Sequence, residues 1–236
     1  MPEEEWWRAV ELGAAGRYGE AWAVLEPLAH GAGRIASLAS STLGSHHRQL
    51  GRHAVGREHD ERALKQAADE ESLVEALLGL TADAVGLGEP ETARTWLAAA
   101  QKARVDDALW RVRVRAEWVS AEVSLLTGEH EAARAPARRS LELAAAHGTD
   151  RHVAKSLLFV AVSDPAEAVA ALRTSWAIST SQHYETLVWP AGELLIDRAE
   201  DNEKAEIRER VLSAVRLISE SLPEGIAQPW VAERKV

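Results

Sequence analysis

The sequence of 236 residues contains no cysteine, which removes structural disulfides and thiolate chemistry from consideration. It has one methionine, one phenylalanine and two tyrosines, so its aromatic character rests on nine tryptophans. Stretches rich in β-branched residues are almost absent, which argues against strands. The longest apolar runs, such as Leu157 to Val162, are far too short to cross a bilayer. There is no excess of basic residues: the formal charge is −10. That balance speaks against nucleic acid and anionic membrane as partners, because both are held by cations that neutralise phosphates. The opening Met1-Pro2-Glu3-Glu4-Glu5 is the reverse of the basic start that a secretory signal needs, so a cytoplasmic location is expected.

Motifs for chemistry are missing as well. No glycine loop suited to phosphate, no HExxH pair and no serine–histidine–acid elbow occurs. No catalytic residue, cofactor or metal ligand is therefore predicted. The nine histidines invite a metal site, and His46, His47, His53 and His59 gather near Glu58 and Asp60. Adjacent residues on a helix diverge by ~100°, however, so His46 and His47 could not readily share an ion. Solvent-exposed or capping histidines are expected instead.

What is present is a repeat. Gly16, Gly51, Gly88, Gly128 and Ser163 serve as turn anchors, 35, 37, 40 and 35 positions apart. Seven residues before them stand Ala9, Gly44, Thr81, Ala121 and Ser156; five after stand Ala21, Gly56, Ala93, Ala133 and Ala168. Small residues on both sides of a turn let two helices cross at the short end of the usual ~8–10 Å interaxial range. A period of this size predicts stacked helix pairs. The fold class is all-α: an α-solenoid of about five helix-turn-helix repeats over 3–181, with capping helices over 182–221 and an extended tail over 222–236. Proline and acidic residues in Gly88-Glu89-Pro90-Glu91 and Ser163-Asp164-Pro165-Ala166-Glu167 predict helix starts at 90 and 165. Arg111-Val112-Arg113-Val114-Arg115 alternates like a strand, but a lone strand among helical repeats would have no partner, so it is read within a helix over 107–127.

Gly16-Arg17-Tyr18-Gly19-Glu20-Ala21, Leu43-Gly44 followed by Gly51, and Gly128-Glu129-His130-Glu131-Ala132-Ala133 resemble the tetratricopeptide repeat family. More loosely, the chain resembles stand-alone bacterial repeat proteins common in actinobacteria. The resemblance implies a concave groove, lined by the first helix of each repeat, that receives a protein or peptide partner without catalysis. The positions it implies are Trp6, Ser41, Ser45, Arg48, Glu75, Arg115, Trp118 and Glu122. Asp60 departs from the family pattern, which usually has a large apolar residue there.

Other residues carry readings of their own. Arg151, His152 and Lys155 place three cations at a helix start, where the macrodipole disfavours them, so Arg151 and Lys155 are candidate anion contacts. Arg48, Arg52, Arg57 and Arg62, interleaved with Glu58, Asp60 and Glu61, read as intrahelical ion pairs. Trp22, Trp96 and Trp176 fall in second helices and are expected in the core, while Trp6, Trp7 and Trp230 are expected to cover the solenoid ends. Self-association into a homodimer through those ends or through the final helices, and sensing of a small anionic ligand in the groove, are the alternative functions.

Overall fold

The computed structural model describes residues 1–103 and 105–232, except the side chains of Pro229 and Ala232. Among the described residues all regular structure is helical, an α-helical repeat solenoid of consecutively packed pairs. The pairs are α1 (Pro2–Ala14) with α2 (Tyr18–Ala29), α3 (Arg34–Gln49) with α4 (His53–Gln66), and α5 (Glu70–Gly86) with α6 (Pro90–Gln101). Next come α7 (Trp110–Leu126) with α8 (His130–Ala146), and α9 (Asp150–Ser163) with α10 (Ala168–Ser181). The alternating Arg111–Arg115 segment lies within α7, as the absence of any partner strand requires.

Four of the five turn anchors share one geometry. Gly16, Gly51, Gly88 and Gly128 have φ of 78°, 76°, 71° and 74°, the left-handed region in which a Cβ is strained. At each, the following amide donates back to a helix carbonyl: Arg17 to Leu12, Arg52 to His47 and Glu89 to Ala84 at 2.9 Å, and Glu129 to Ser124 at 2.8 Å. This six-to-one bond closes the helix end and reverses the chain. Ser163 does not follow suit. There the Asp164 carboxylate accepts from the Ala166 amide at 3.2 Å, and the carbonyl of Asp164 accepts from the Glu167 amide at 3.1 Å. Pro165 therefore sits in a turn, and α10 begins at Ala168 rather than at 165.

The paired small residues sit where the helices cross. Ala9 with Ala21 and Ala121 with Ala133 are fully buried. A Cβ on Gly44 would stand 3.1 Å from the Gly56 carbonyl oxygen, and one on Gly56 would stand 3.2 Å from that of Gly44. The backbones of α3 and α4 are thus in direct contact.

Beyond Ser181 the chain continues as α11 (Glu185–Ile196), α12 (Asp201–Glu220) and α13 (Glu224–Ala232). The six-to-one closure recurs here too: Tyr184 N donates to Ser179 O at 2.9 Å, with His183 at φ 54° in the place of the glycine. Histidine is among the few residues that visit this region. α11 and α12 pack together as a sixth pair, and that pair returns to the first. Thr186 Oγ1 donates to Ala14 O at 3.2 Å, Ser221 Oγ donates to Gly16 O at 2.9 Å, and Tyr18 N donates to Ser221 Oγ at 3.1 Å. The caps expected on an open end instead seal the two ends of the solenoid against each other.

Two expectations are corrected by this closure. The segment after Leu222 is helical as α13 rather than extended, with Trp230 only 2% exposed and edge-on to Trp189 at 6.4 Å; residues 233–236 of that tail lie outside the described residues. Trp6 and Trp7 face the ring's interior rather than covering an end. Both follow from one cause: the apolar end of the first pair is met by the sixth. The accessible surface of 11208 Å² is close to the ~10,400 Å² of a compact monomer of this mass.

Candidate functional site

Six first helices stand side by side around the interior: α1 on α3, α3 on α5, α5 on α7, α7 on α9, α9 on α11, and α11 back on α1. They line a cavity of about 440 Å³ that is partly open to solvent, and every residue lining it belongs to one of these six. Cavities of this size bury a single drug-sized molecule. The wall is aromatic and apolar on α1, α7, α9 and α11, through Trp6, Trp118, Phe159 and Trp189, and polar on α3, through Ser41, Thr42, Ser45 and Gln49.

The aromatic wall is held in place by hydrogen bonds to the neighbouring helix. Trp6 Nε1 donates to Thr42 Oγ1 at 3.0 Å, and Trp118 Nε1 donates to Ser156 Oγ at 2.8 Å. Ser156 is one of the small crossing residues of the repeat, so a packing position also orients a cavity side chain. His152 and Phe159 stack on Trp118, with centroids 5.6 and 6.1 Å away. Rigid rings of this kind give a ligand a large contact area with little entropy to lose.

Cations are set into that wall. Lys155 Nζ lies 4.4 Å from the centre of the Trp118 ring, and the Arg111 guanidinium lies 4.7 and 4.5 Å from the rings of Trp7 and Trp110. Arg151 and Arg115 complete the set. Two carboxylates line the cavity, and both are engaged: Glu75 is ion-paired with Arg115, and Glu71 with Arg34 at 2.7 Å. Burial pushes Lys155 down to about 8, against the pull of Glu122 and with the repulsion of Arg151, Arg115 and Arg48. Burial likewise raises the Glu122 carboxyl, which Lys155 partly offsets. His152, which the sequence counted as a cation, is held neutral: burial, then Arg151, Arg111 and Lys155, bring it to about 3.

The structure brings together Trp6, Ser41, Ser45, Glu75, Arg115, Trp118, Arg151 and Lys155 on this lining. It does not place Arg48 or Glu122 there. Arg48 is turned away into a buried cluster, ion-paired with Asp60 of α4 and, at 3.1 Å, with Asp83 of α5. Gly44, Gly56 and Gly79 make room for the two carboxylates, since a Cβ at any of them would collide with Asp60 or Asp83. The apolar residue expected at position 60 is replaced by one arm of this cluster. Arg57 also pairs between repeats, with Glu89 at 2.7 Å, so the intrahelical reading of these arginines is corrected. Burial, and the neighbouring Asp60, raise Asp83 to about 7, while Arg48 opposes the rise.

The histidines are corrected too. His46 and His47 are buried, packed at a tilt against Tyr18 and Trp22 with centroids 4.8 Å apart in each pair, and burial lowers both to about 3. His47 and His59 stack on each other at 5.1 Å. Trp7, Arg111, His152, Phe159 and the whole α11 contribution were not placed in the groove by the sequence reading. α11 lacks a glycine anchor, and only its apolar run marked it as a helix.

No protein-family model matches the sequence, and no curated protein matches it. No helix among the described residues is long and apolar enough to cross a membrane.

Proposed function

We propose that the chain is a non-catalytic binding module of tetratricopeptide-like architecture. Its concave face receives a peptide end or a molecule of similar size, and a folded partner is too large to enter. The observation that carries this reading is the return of the sixth helix pair onto the first, which converts an open groove into a cavity of about 440 Å³. Aromatic side chains fixed by hydrogen bonds, with polar groups converging on one side, are the usual make-up of such a pocket. The same closure disfavours a homodimer through the tryptophan ends, because Trp6, Trp7 and Trp230 are turned inward or buried and the ends they would offer are in contact with each other.

Ser45→Phe provides the test, since Ser45 lines the cavity and a phenyl ring there takes up part of its volume. Compounds and short peptides that raise the melting temperature of the parent protein are expected to lose at least tenfold in affinity against this variant. Hits that bind Ser45→Phe unchanged would place the binding surface elsewhere and overturn the reading.

A further inference from the structure

The interior of this ring is charged against the rest of the molecule. A chain of formal charge −10 sets Arg111, Arg151 and Lys155 around one cavity, and none of the three has an ion-pair partner among the described residues. The carboxylates that line the cavity, Glu71 and Glu75, are taken by Arg34 and Arg115, and Glu122, which attracts Lys155 from outside the lining, makes no ion pair with it. Arg151 Nε is buried without a hydrogen-bond partner. A buried cation left without a counter-charge is costly, and an anion entering the cavity offsets that cost. Lys155 lies against the face of Trp118, so the charge and the aromatic surface occupy the same spot.

We propose that the cavity binds a small amphipathic organic anion, with its apolar body against Trp6, Trp118 and Phe159 and its acidic head between Arg151 and Lys155. This rests on the reading of the cavity as the binding site, and adds the chemical class of the occupant. The two parts of the lining select for both halves of such a molecule. A bare inorganic anion would leave the aromatic wall against water, and a neutral hydrocarbon would leave the cations unpaired. The anionic head could belong to a free organic acid or to the carboxyl end of a short peptide, and the two are separable by experiment.

The probe is 8-anilinonaphthalene-1-sulfonate, compared with N-phenyl-1-naphthylamine, which has the same ring system without the sulfonate. The sulfonate is expected to bind once per chain and at least tenfold more tightly than the neutral amine. Arg151→Met and Lys155→Met should each weaken the sulfonate about tenfold and leave the amine unchanged; either variant suffices if the other folds poorly. Affinity for the sulfonate should hold steady below pH 8 and fall above it to the level of Lys155→Met, about tenfold weaker in all, as Lys155 loses its proton. The charged and titratable groups that act on Lys155 or line the cavity with it are Arg48 and His46 of α3, Glu71 and Glu75 of α5, Arg111, Arg115 and Glu122 of α7, and Arg151 and His152 of α9; among the described residues α1 and α11 line the cavity with no titratable group.

Decanoate should displace the sulfonate and decanamide should not. Ala-Ala-Phe with a free carboxyl end, compared with its amide, then tells a peptide end from a free acid by whether it displaces better or worse than decanoate. Equal binding of the two naphthyl probes, or indifference of the sulfonate to both methionine variants, would overturn the anionic head and leave the cavity reading standing. Failure of both probes to bind, or equal binding of both to Ser45→Phe, would overturn the cavity reading itself.

Discussion

Replacing Arg48 with methionine is expected to destabilise the protein by about 3–5 kcal/mol, the loss that follows when one partner of a buried ion cluster is removed. Arg48 bridges Asp60 and Asp83, both of which are fully buried. Without it the two carboxylates are left buried and unpaired in the space that Gly44, Gly56 and Gly79 open for them. The variant can relieve the repulsion by keeping a proton on Asp83, whose affinity is already raised to about 7. The loss should therefore grow as the pH rises above neutrality. Urea denaturation at pH 6 and pH 8 reads both effects. A loss below ~1 kcal/mol at both would show that the cluster does not hold the second and third repeats together. Ligand binding should survive in the folded fraction, because Arg48 does not line the cavity.

Acid will weaken the fold steeply, and histidine is the cause. His46, His47 and His152 are held neutral in the folded protein down to about pH 3, against an ordinary value of 6.5. Between those limits the unfolded chain binds protons that the folded chain refuses, so stability falls as the pH falls. Each such group contributes up to about 1.4 kcal/mol per pH unit in this window. Asp83 works in the opposite sense: its folded value of about 7 exceeds the ordinary 3.8, so between these it adds stability on acidification and offsets about one histidine. The balance is a net loss on the order of 3 kcal/mol per unit, enough to exhaust a typical domain stability by about pH 4. Urea midpoints measured from pH 7 to pH 4 should drop continuously, and His46→Phe should flatten the curve. A flat profile from pH 7 to pH 5 would contradict the assignment of these histidines as buried and neutral.

The legible parts of this molecule were those that repeat. Glycine at φ near 75° and a small residue at each crossing are demands of backbone geometry, and backbone demands recur in sequence with the period of the fold. The sixth pair was read only as caps because His183 supplies the left-handed turn without glycine, and nothing in Glu185–Ile196 advertises which helix it will meet. Arg48 and Arg115 looked alike in the sequence, each an arginine on a first helix. Only the structure shows that glycine at three distant positions opens a buried berth for Arg48's partners, while Glu75 holds Arg115 at the cavity wall. Arg151 and Lys155 were legible for a different reason, as cations placed where the helix dipole opposes them. That conflict is a local property, so it can be read without the fold.

The central claim is that the ends of the solenoid meet, because without that contact the concave face is an open groove and not a cavity. Small-angle X-ray scattering of the protein over a concentration series tests it most directly. A closed ring of one 25.7 kDa chain should give a radius of gyration of about 18 Å, with a single-peaked distance distribution and the mass of a monomer. A radius above about 23 Å with the skewed distribution of a rod, at monomer mass, would mean that the sixth pair does not return to the first.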